Sequence, residues 1–351
     1  MTPETLAEYL GGTGAITSPS VHAAFSQVNR HAFVPEGWVH DQETGVRAFL
    51  TDSPDLESRK TWLQAIYSDT VLVTKMDDRG IALSSSSQPT IMARMLEALA
   101  LEPGQRVLEI GTGTGYNTAL LSSITGDGQV FSIDIDPALV EQARKVLAEQ
   151  GYHPALTTGD GREGWAGGGP YDRLIATCET SAVPAAWLAQ CRTGARMVVN
   201  IGYGSAVLQK GADGGARGRF MEGVAAFMPA RDNAQGPAPF SGLNLDAVSE
   251  TGGTAVEVPE LIHGKPFHMV LHLVRPDLIQ LQLDSARSAF GDAEGRQVLA
   301  TAERVHGSAE LWNTIQDEYM QWLAWGKPEL HQLTVIAEPD GTTKFEPDSA
   351  I

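Results

Sequence analysis

Cysteine is nearly absent: Cys178 and Cys191 are the only two in 351 residues. Two thiols cannot build a disulfide framework or a multi-thiolate zinc site, so a reducing compartment, the cytoplasm, is the expected location. Long apolar runs are also missing. No stretch approaches the roughly 18–20 residues of a membrane span, and the opening MTPETLAEYLGGTGAITSPS lacks the basic start and apolar middle of a signal peptide. Positive charge is scarce: 25 Lys and Arg against 43 Asp and Glu leave a net charge of −18. Without a basic run, such a chain is repelled by phosphate backbones and anionic lipid, so neither nucleic acid nor membrane is an expected partner. The nine histidines show no metal-ligand spacing, and no metal is expected.

What is present is a hydrophobic content of 42%, ample for a packed interior. The length suits about two domains, or one core with large additions. Residues 1–80 read as an irregular, mostly helical lead-in. Residues 36–60 are polar and turn-rich, and IYSDTVLVTK (66–75) holds a short strand. Pro89 opens a helix whose apolar face is Ile91, Met92, Met95, Leu96 and Leu99, with Ser87 or Gln88 as its cap. From 106 onward strands and helices alternate: RVLEI, QVFSID, ALTTGD, YDRLIAT and ARMVVNIG are strands with helical segments between them. This alternation implies a mostly parallel α/β sheet covered on both faces, a Rossmann-like core. Beyond 245, FHMVLHLV and LIQLQLD read as strands. LWNTIQDEYMQWLAW reads as a helix with Trp312, Tyr319 and Trp322 on its core face, and QLTVIAEPDGTTKFE as a hairpin turning at Asp340-Gly341.

The chemistry gathers at the strand tips. Gly111, Gly113 and Gly115 sit between a strand and a helix, where a ligand can approach bare backbone and helix N–H groups. The spacing E-x-G-x-G-x-G from Glu109 differs from the G-x-G-x-x-G of dinucleotide sites. Asp134 ends the second strand, where a carboxylate can accept both hydroxyls of a ribose. Asp160, in GDG at the third strand tip, can take an adenine amine while the Gly161 N–H faces a ring nitrogen. Together these tips suit S-adenosylmethionine rather than NAD. The run Ser84–Ser87, just before the helix that leads into the nucleotide domain, supplies hydroxyls able to orient a carboxylate; its plainer role is a polar capping loop. Cys178 reads as a small apolar residue after a buried strand.

SSSSQPTIMARMLEALALEPGQRVLEIGTGTGYNTALL, VFSIDIDPALVEQAR, TTGDGREGW, PYDRLI and FMPARD, in this order and spacing, resemble the protein-L-isoaspartate (D-aspartate) O-methyltransferases over about residues 20–235. That family carries T-I-S-x-P where Ser85, Ser86 and Ser87 stand here. The resemblance implies a Rossmann-like class I methyltransferase core over 83–235, an N-terminal helical cap over 1–82 and a C-terminal α+β accessory domain over 236–351. It makes Ser85 and Ser87 the expected substrate-side residues. Ser84, Glu109, Gly111, Thr112, Gly113, Gly115, Asn117, Asp134, Ile135, Asp160 and Gly161 become the expected donor-binding set.

The implied reaction is transfer of a methyl group to an aspartyl carboxylate, ionised at neutral pH because its pKa lies near ~4. No general base is needed, and alignment with exclusion of water can supply up to ~7–11 kcal/mol. The ester then loses methanol to the following backbone nitrogen, giving an aspartimide that opens to Asp and isoAsp. IATC, RFMEGVAAFMPARD, LWNTIQDEY and the C-terminal hundred residues are similar to an actinobacterial branch acting on ribosomal lanthipeptides, lasso peptides or graspetides. On that basis the expected partner is a cyclised ribosomal peptide with a target Asp. General isoaspartate repair is the alternative enzyme reading, and an inactive donor-binding module the non-enzyme one.

Overall fold

The computed structural model describes residues 1–40, 47–234, 243–249 and 253–348. The N-terminal region comprises α1 (Pro3–Gly12), α2 (Pro19–Gln27), α3 (Arg30–Phe33), β1 (Glu36–His40), β2 (Arg47–Thr51), α4 (Leu56–Ile66), β3 (Leu72–Met76) and β4 (Ala82–Ser86). It is less helical than its sequence suggests, because the four strands form their own sheet in the order β2-β1-β3-β4. The polar stretch 36–60 contains a hairpin and a helix, except for 41–46, which lie outside the described residues. α4 lacks a visible apolar stripe because it buries little beyond Trp62 and Ile66; the Asp55 carboxylate caps it from the Ser58 N–H at 2.9 Å.

The core follows as α5 (Pro89–Leu99), β5 (Val107–Ile110), α6 (Tyr116–Thr125), β6 (Val130–Asp134), α7 (Pro137–Glu149), β7 (Ala155–Thr158), β8 (Tyr171–Thr180), α8 (Ala185–Gln190), β9 (Cys191–Ile201), β10 (Gly204–Lys210) and β11 (Ala216–Phe220). The strands β9-β8-β5-β6-β7 are parallel neighbours, with β10 and β11 antiparallel beyond β9. β5 is buried along its whole length, as a strand covered on both faces must be. Chain order reverses between β5 and β8, and the crevice at the carboxyl ends of strands at such a switch point is where α/β sheets bind ligands.

The remaining elements are α9 (Leu245–Ser249), β12 (Thr254–Ala255), α10 (Lys265–Val274), β13 (Ile279–Asp284), β14 (Arg287–Gly291), β15 (Gln297–Thr301), β16 (Arg304–Gly307), α11 (Ala309–Ala324), β17 (Leu333–Ala337) and β18 (Thr343–Pro347). FHMVLHLV is helical, not a strand. Pro266 sits in its first turn, and Phe267, Val270, Leu271 and Leu273 are buried at helical spacing. The helix at Trp312, Tyr319 and Trp322 forms with all three buried, and the Asp340-Gly341 hairpin forms as read. That hairpin does not stand apart: β17 pairs with β11, so β17 and β18 extend the core sheet to nine strands. One apolar cluster runs from Leu108 and Trp187 through Ile262 and Phe267 to Trp312. The boundary expected at 235–236 lies outside the described residues. No helix among the described residues is long and apolar enough to cross a membrane.

The cap is joined to the core by Arg30, which is fully buried. Its guanidinium donates to five backbone carbonyls, those of Ile66, Ser68, Thr70, Ser86 and Ser87, at 2.9–3.3 Å, and to the Ser86 hydroxyl at 3.1 Å. It also lies over the Tyr116 ring at 5.9 Å. Burial lowers its pKa to about 10, so it stays charged at neutral pH. Arg30→Met keeps the stem but strands these acceptors, each worth about 1–3 kcal/mol when left unpaired. A loss of at least ~3 kcal/mol in urea unfolding is expected. A loss below ~1 kcal/mol would mean that water replaces the guanidinium.

Candidate functional site

A cavity of about 290 Å³ opens at the switch point. Its walls come from Val71 and Val73, Ser84–Gln88, Ile110–Thr114, Tyr116 and Asn117, Ile133–Ile135, Asp160 and Gly161, Thr177 and Cys178, and Ala226–Arg231. Of the residues singled out in the sequence, Ser84, Ser85, Ser87, Gly111, Thr112, Gly113, Asn117, Asp134, Ile135, Asp160 and Gly161 all reach it.

Glu109 and Gly115 do not. Gly115 begins α6 at φ 85°, and a Cβ there would meet Ala143 of α7 at 3.2 Å, so its bareness serves helix packing. Gly111 and Gly113 do line the cavity, and the Gly113 N–H donates to the Asp134 carboxylate at 2.8 Å.

The Glu109 side chain points behind the glycine turn. It is inaccessible and accepts from Asn117 Nδ2 at 2.7 Å, Thr118 Oγ1 at 2.5 Å and Ser132 Oγ at 2.7 Å. It thereby fastens the first turn of α6 to β5 and β6. Burial pushes its carboxyl up to about 7 despite these bonds. Each oxygen of the Asp134 carboxylate accepts one backbone N–H, Oδ2 from Gly113 at 2.8 Å and Oδ1 from Asp136 at 3.0 Å, and burial raises it above the usual carboxylate range. Acceptor capacity remains on a residue that lines the cavity.

Asp160 is more occupied than its strand-tip position suggests. It accepts the Arg162 N–H at 2.9 Å and the guanidinium at 2.6–3.1 Å, which holds it below the usual range. Of about four lone-pair sites, little is left for a base amine.

Ser84–Ser86 close β4 and Ser87 follows them toward α5, so the run is largely strand and not a loop. Ser84 and Ser86 are buried, the first accepting from Thr74 at 3.2 Å and the second from Arg30. Ser85 and Ser87 alternate with them, half-buried, and no side-chain hydrogen bond holds either among the described residues. Neither Ser87 nor Gln88 caps α5 through its side chain. Asp69 accepts from the Thr90 N–H at 2.8 Å and from Gln88 at 2.9 Å. Asp136 caps α7 and pairs with Lys75, tying β3 to the Asp134 tip. Cys178 lines the cavity with its thiol pushed up to about 12 by burial, which leaves it unreactive.

The wall Ala226–Arg231 overlaps the FMPARD segment, yet none of its residues was among the expected site residues. Its anchors are distant: the Arg231 guanidinium donates to the Leu83 carbonyl at 3.1 Å, 148 residues away. Thr177, whose hydroxyl donates to the Gly111 carbonyl at 2.8 Å, is a second unpredicted residue of the wall.

The profile of the protein-L-isoaspartate(D-aspartate) O-methyltransferases matches residues 55–235, just over half of the chain. The chain belongs to this family. A protein-L-isoaspartate O-methyltransferase of Colwellia psychrerythraea is 34% identical over 208 residues, which are 59% of this chain and 81% of that one. Another, from Anaeromyxobacter dehalogenans, is 43% identical over 137 residues, 36% of this chain and 64% of that one. The match thus spans a little under two thirds of the latter relative's length. A solved structure of a protein-L-isoaspartate O-methyltransferase superposes with TM-score 0.60 at 24% identity over the full length of both chains. The fold is therefore a class I methyltransferase core with flanking additions, as expected.

Because Glu109 titrates at about 7 when folded and near 4.5 when not, its stabilising contribution is complete below the lower value. That contribution is lost as pH rises through the higher one. At ~1.4 kcal/mol per unit, the loss is on the order of 3 kcal/mol. Glu109→Gln should flatten the dependence of unfolding free energy on pH between about 5 and 8. Identical slopes in variant and parent would show that Glu109 is ionised throughout.

Proposed function

We propose that the cavity binds S-adenosylmethionine and that the chain methylates the side-chain carboxylate of an aspartyl or isoaspartyl residue in a peptide. The carrying observation is Asp134, a carboxylate on the cavity wall whose two oxygens each accept one backbone N–H and keep acceptor capacity to spare. The residues present fit the donor molecule. Asp134 suits the two ribose hydroxyls. Asn117 Oδ1, buried on the wall without a partner, suits the ammonium of the amino-acid end. The Gly161 N–H suits an adenine nitrogen, with Asp160 offering less because Arg162 occupies it. When bound, S-adenosylmethionine supplies an electrophilic methyl group.

The chain's own contribution is positioning. Ser85 and Ser87 donate to the acceptor carboxylate, which is ionised without help from a base. Val71, Val73, Ile91 and Phe227 exclude water around it. No residue on the wall needs to take a proton.

The family match and the relatives' names support an isoaspartate-directed, repair-type acceptor over a cyclised ribosomal peptide. The C-terminal region, the main ground for the second acceptor, is not peculiar to a peptide-modifying branch on fold grounds. A solved structure bearing the isoaspartate name is matched from end to end. An isoAsp hexapeptide offered beside cyclised and linear normal-Asp peptides decides between them by gain of one methylene in mass. Exclusive turnover of the cyclised normal-Asp peptide would reverse the assignment.

Asp134→Ala removes two charge-assisted hydrogen bonds of ~1.5–3 kcal/mol each. Calorimetry should show S-adenosylmethionine affinity lowered by at least ~100-fold in a folded protein. Unchanged affinity would sink the ribose role. Ser85→Ala and Ser87→Ala should each slow single-turnover transfer about tenfold or more with donor affinity nearly intact. Rates matching the parent in both would reduce the serine run to a structural strand.

A further inference from the structure

The cavity wall Ala226–Arg231 has no secondary structure of its own beyond a single bridge, between Glu179 and Pro229. It is held by backbone bonds to two residues of the core. The Glu179 N–H donates to the Met228 carbonyl at 2.9 Å, and the Ala230 N–H donates to the Glu179 carbonyl at 2.8 Å. Just before the wall, the Ala225 N–H donates to the Tyr203 carbonyl at 2.9 Å. Glu179 is the penultimate residue of β8, one after Cys178, and Tyr203 sits in the tight turn between β9 and β10. Both anchors are polar, partly exposed residues at strand ends, positions that fray unless side chains hold them.

One residue of the C-terminal region touches both. His272 of α10 places Nε2 3.1 Å from Oε1 of Glu179, a distance at which an Nε2–H donates to the carboxylate. Its ring lies against the Tyr203 ring, centroids 4.7 Å apart and planes tilted by 37°. The approach is close because Gly202 has no side chain; a Cβ there would meet His272 Cδ2 at 3.3 Å. We infer that His272 is a positioning residue for the cavity: by clasping Glu179 and Tyr203 it fixes the two anchors of the Ala226–Arg231 wall, and so makes the C-terminal region a working part of the site. Arg231, at the end of this wall, reaches the serine strand through the Leu83 carbonyl, so a displaced wall also loosens the substrate side. The inference rests on the reading of the cavity as the methyl-donor site.

The test uses the full chain with His272→Ala, Glu179→Ala, the double variant and His272→Gln, which retains an N–H donor. S-adenosylmethionine affinity is measured by calorimetry, alongside hydrogen exchange of the Ala225 and Ala230 amides. Each alanine variant should weaken donor binding roughly three- to thirtyfold and speed exchange at both amides. The double variant should match His272→Ala, which already loses both contacts, and His272→Gln should recover most of the loss. Donor affinity and amide protection equal to the parent overturn the inference, even if the melting temperature falls, because His272 is then only a packing residue. Losses that add in the double variant overturn it as well. If His272→Ala fails to fold, Glu179→Ala leaves α10 intact and carries the same expectations. If the parent binds no donor, the proposed function falls; the exchange data alone then decide the positioning claim.

Discussion

The site depends on a buried cation that, among the described residues, forms no ion pair. Arg30 carries its charge at the contact of cap and core, and five carbonyl dipoles with one hydroxyl stand in for the water it has lost. A carboxylate in that place would bind one or two of its N–H groups. The carbonyls bind the whole fork and come from two separate stretches, 66–70 and 86–87. Two of those carbonyls belong to the serine strand. The bonds that seat the guanidinium therefore also fix the backbone of Ser86 and Ser87, where the serine run lines the cavity. The geometry of this wall of the cavity is in this sense a by-product of solvating one guanidinium.

A second pair of buried charges divides the work of the glycine turn. Glu109 and Asp134 lie at the ends of adjacent parallel strands and both are desolvated, but they are satisfied differently. Three side chains surround Glu109, which serves as an internal rivet for α6. Asp134 accepts only one backbone N–H on each oxygen, and a carboxylate with acceptor capacity left in a low-dielectric crevice is suited to a ligand carrying hydroxyls. Placing the rivet directly behind the turn keeps Gly113 at a fixed distance from Asp134 and limits how far the crevice can relax.

Those parts of the site that follow a hydrophobic strand were legible in the sequence: the turn after VLEI, Asp134 after QVFSI and Asp160 after ALTTG each announce a strand tip. Glu109 misleads because charge in a buried strand can face either ligand or interior, and spacing alone does not choose. The wall at 226–231 misleads for the opposite reason. Its bonds run to Leu83, Glu179 and Tyr203, contacts set by tertiary folding that leave no periodic trace. The helix α10 was hidden because FHMVLHLV is apolar enough to read as a buried strand, and only Pro266 and the i, i+3, i+4 burial argue otherwise. The helix α4 was hidden because a helix that buries two large residues has no stripe to display.

The C-terminal hundred residues look like an appendage in the sequence and behave otherwise in the fold. A separable domain meets its neighbour through a surface, whereas here the last hairpin continues the backbone hydrogen bonding of the core sheet, β11 to β17 and β17 to β18. Removing it would expose β11 as a new edge, with Phe220 losing its stacking against Phe345 at 6.2 Å. Between core and hairpin, α10 and α11 fill the same apolar cluster as Trp187 and Val199. A region that shares its sheet and its hydrophobic cluster with the core cannot move independently of it. The contact of His272 with Glu179 and Tyr203 is therefore made by a rigidly mounted helix, and that rigidity is what allows a half-exposed histidine to fix a wall that has almost no regular structure of its own.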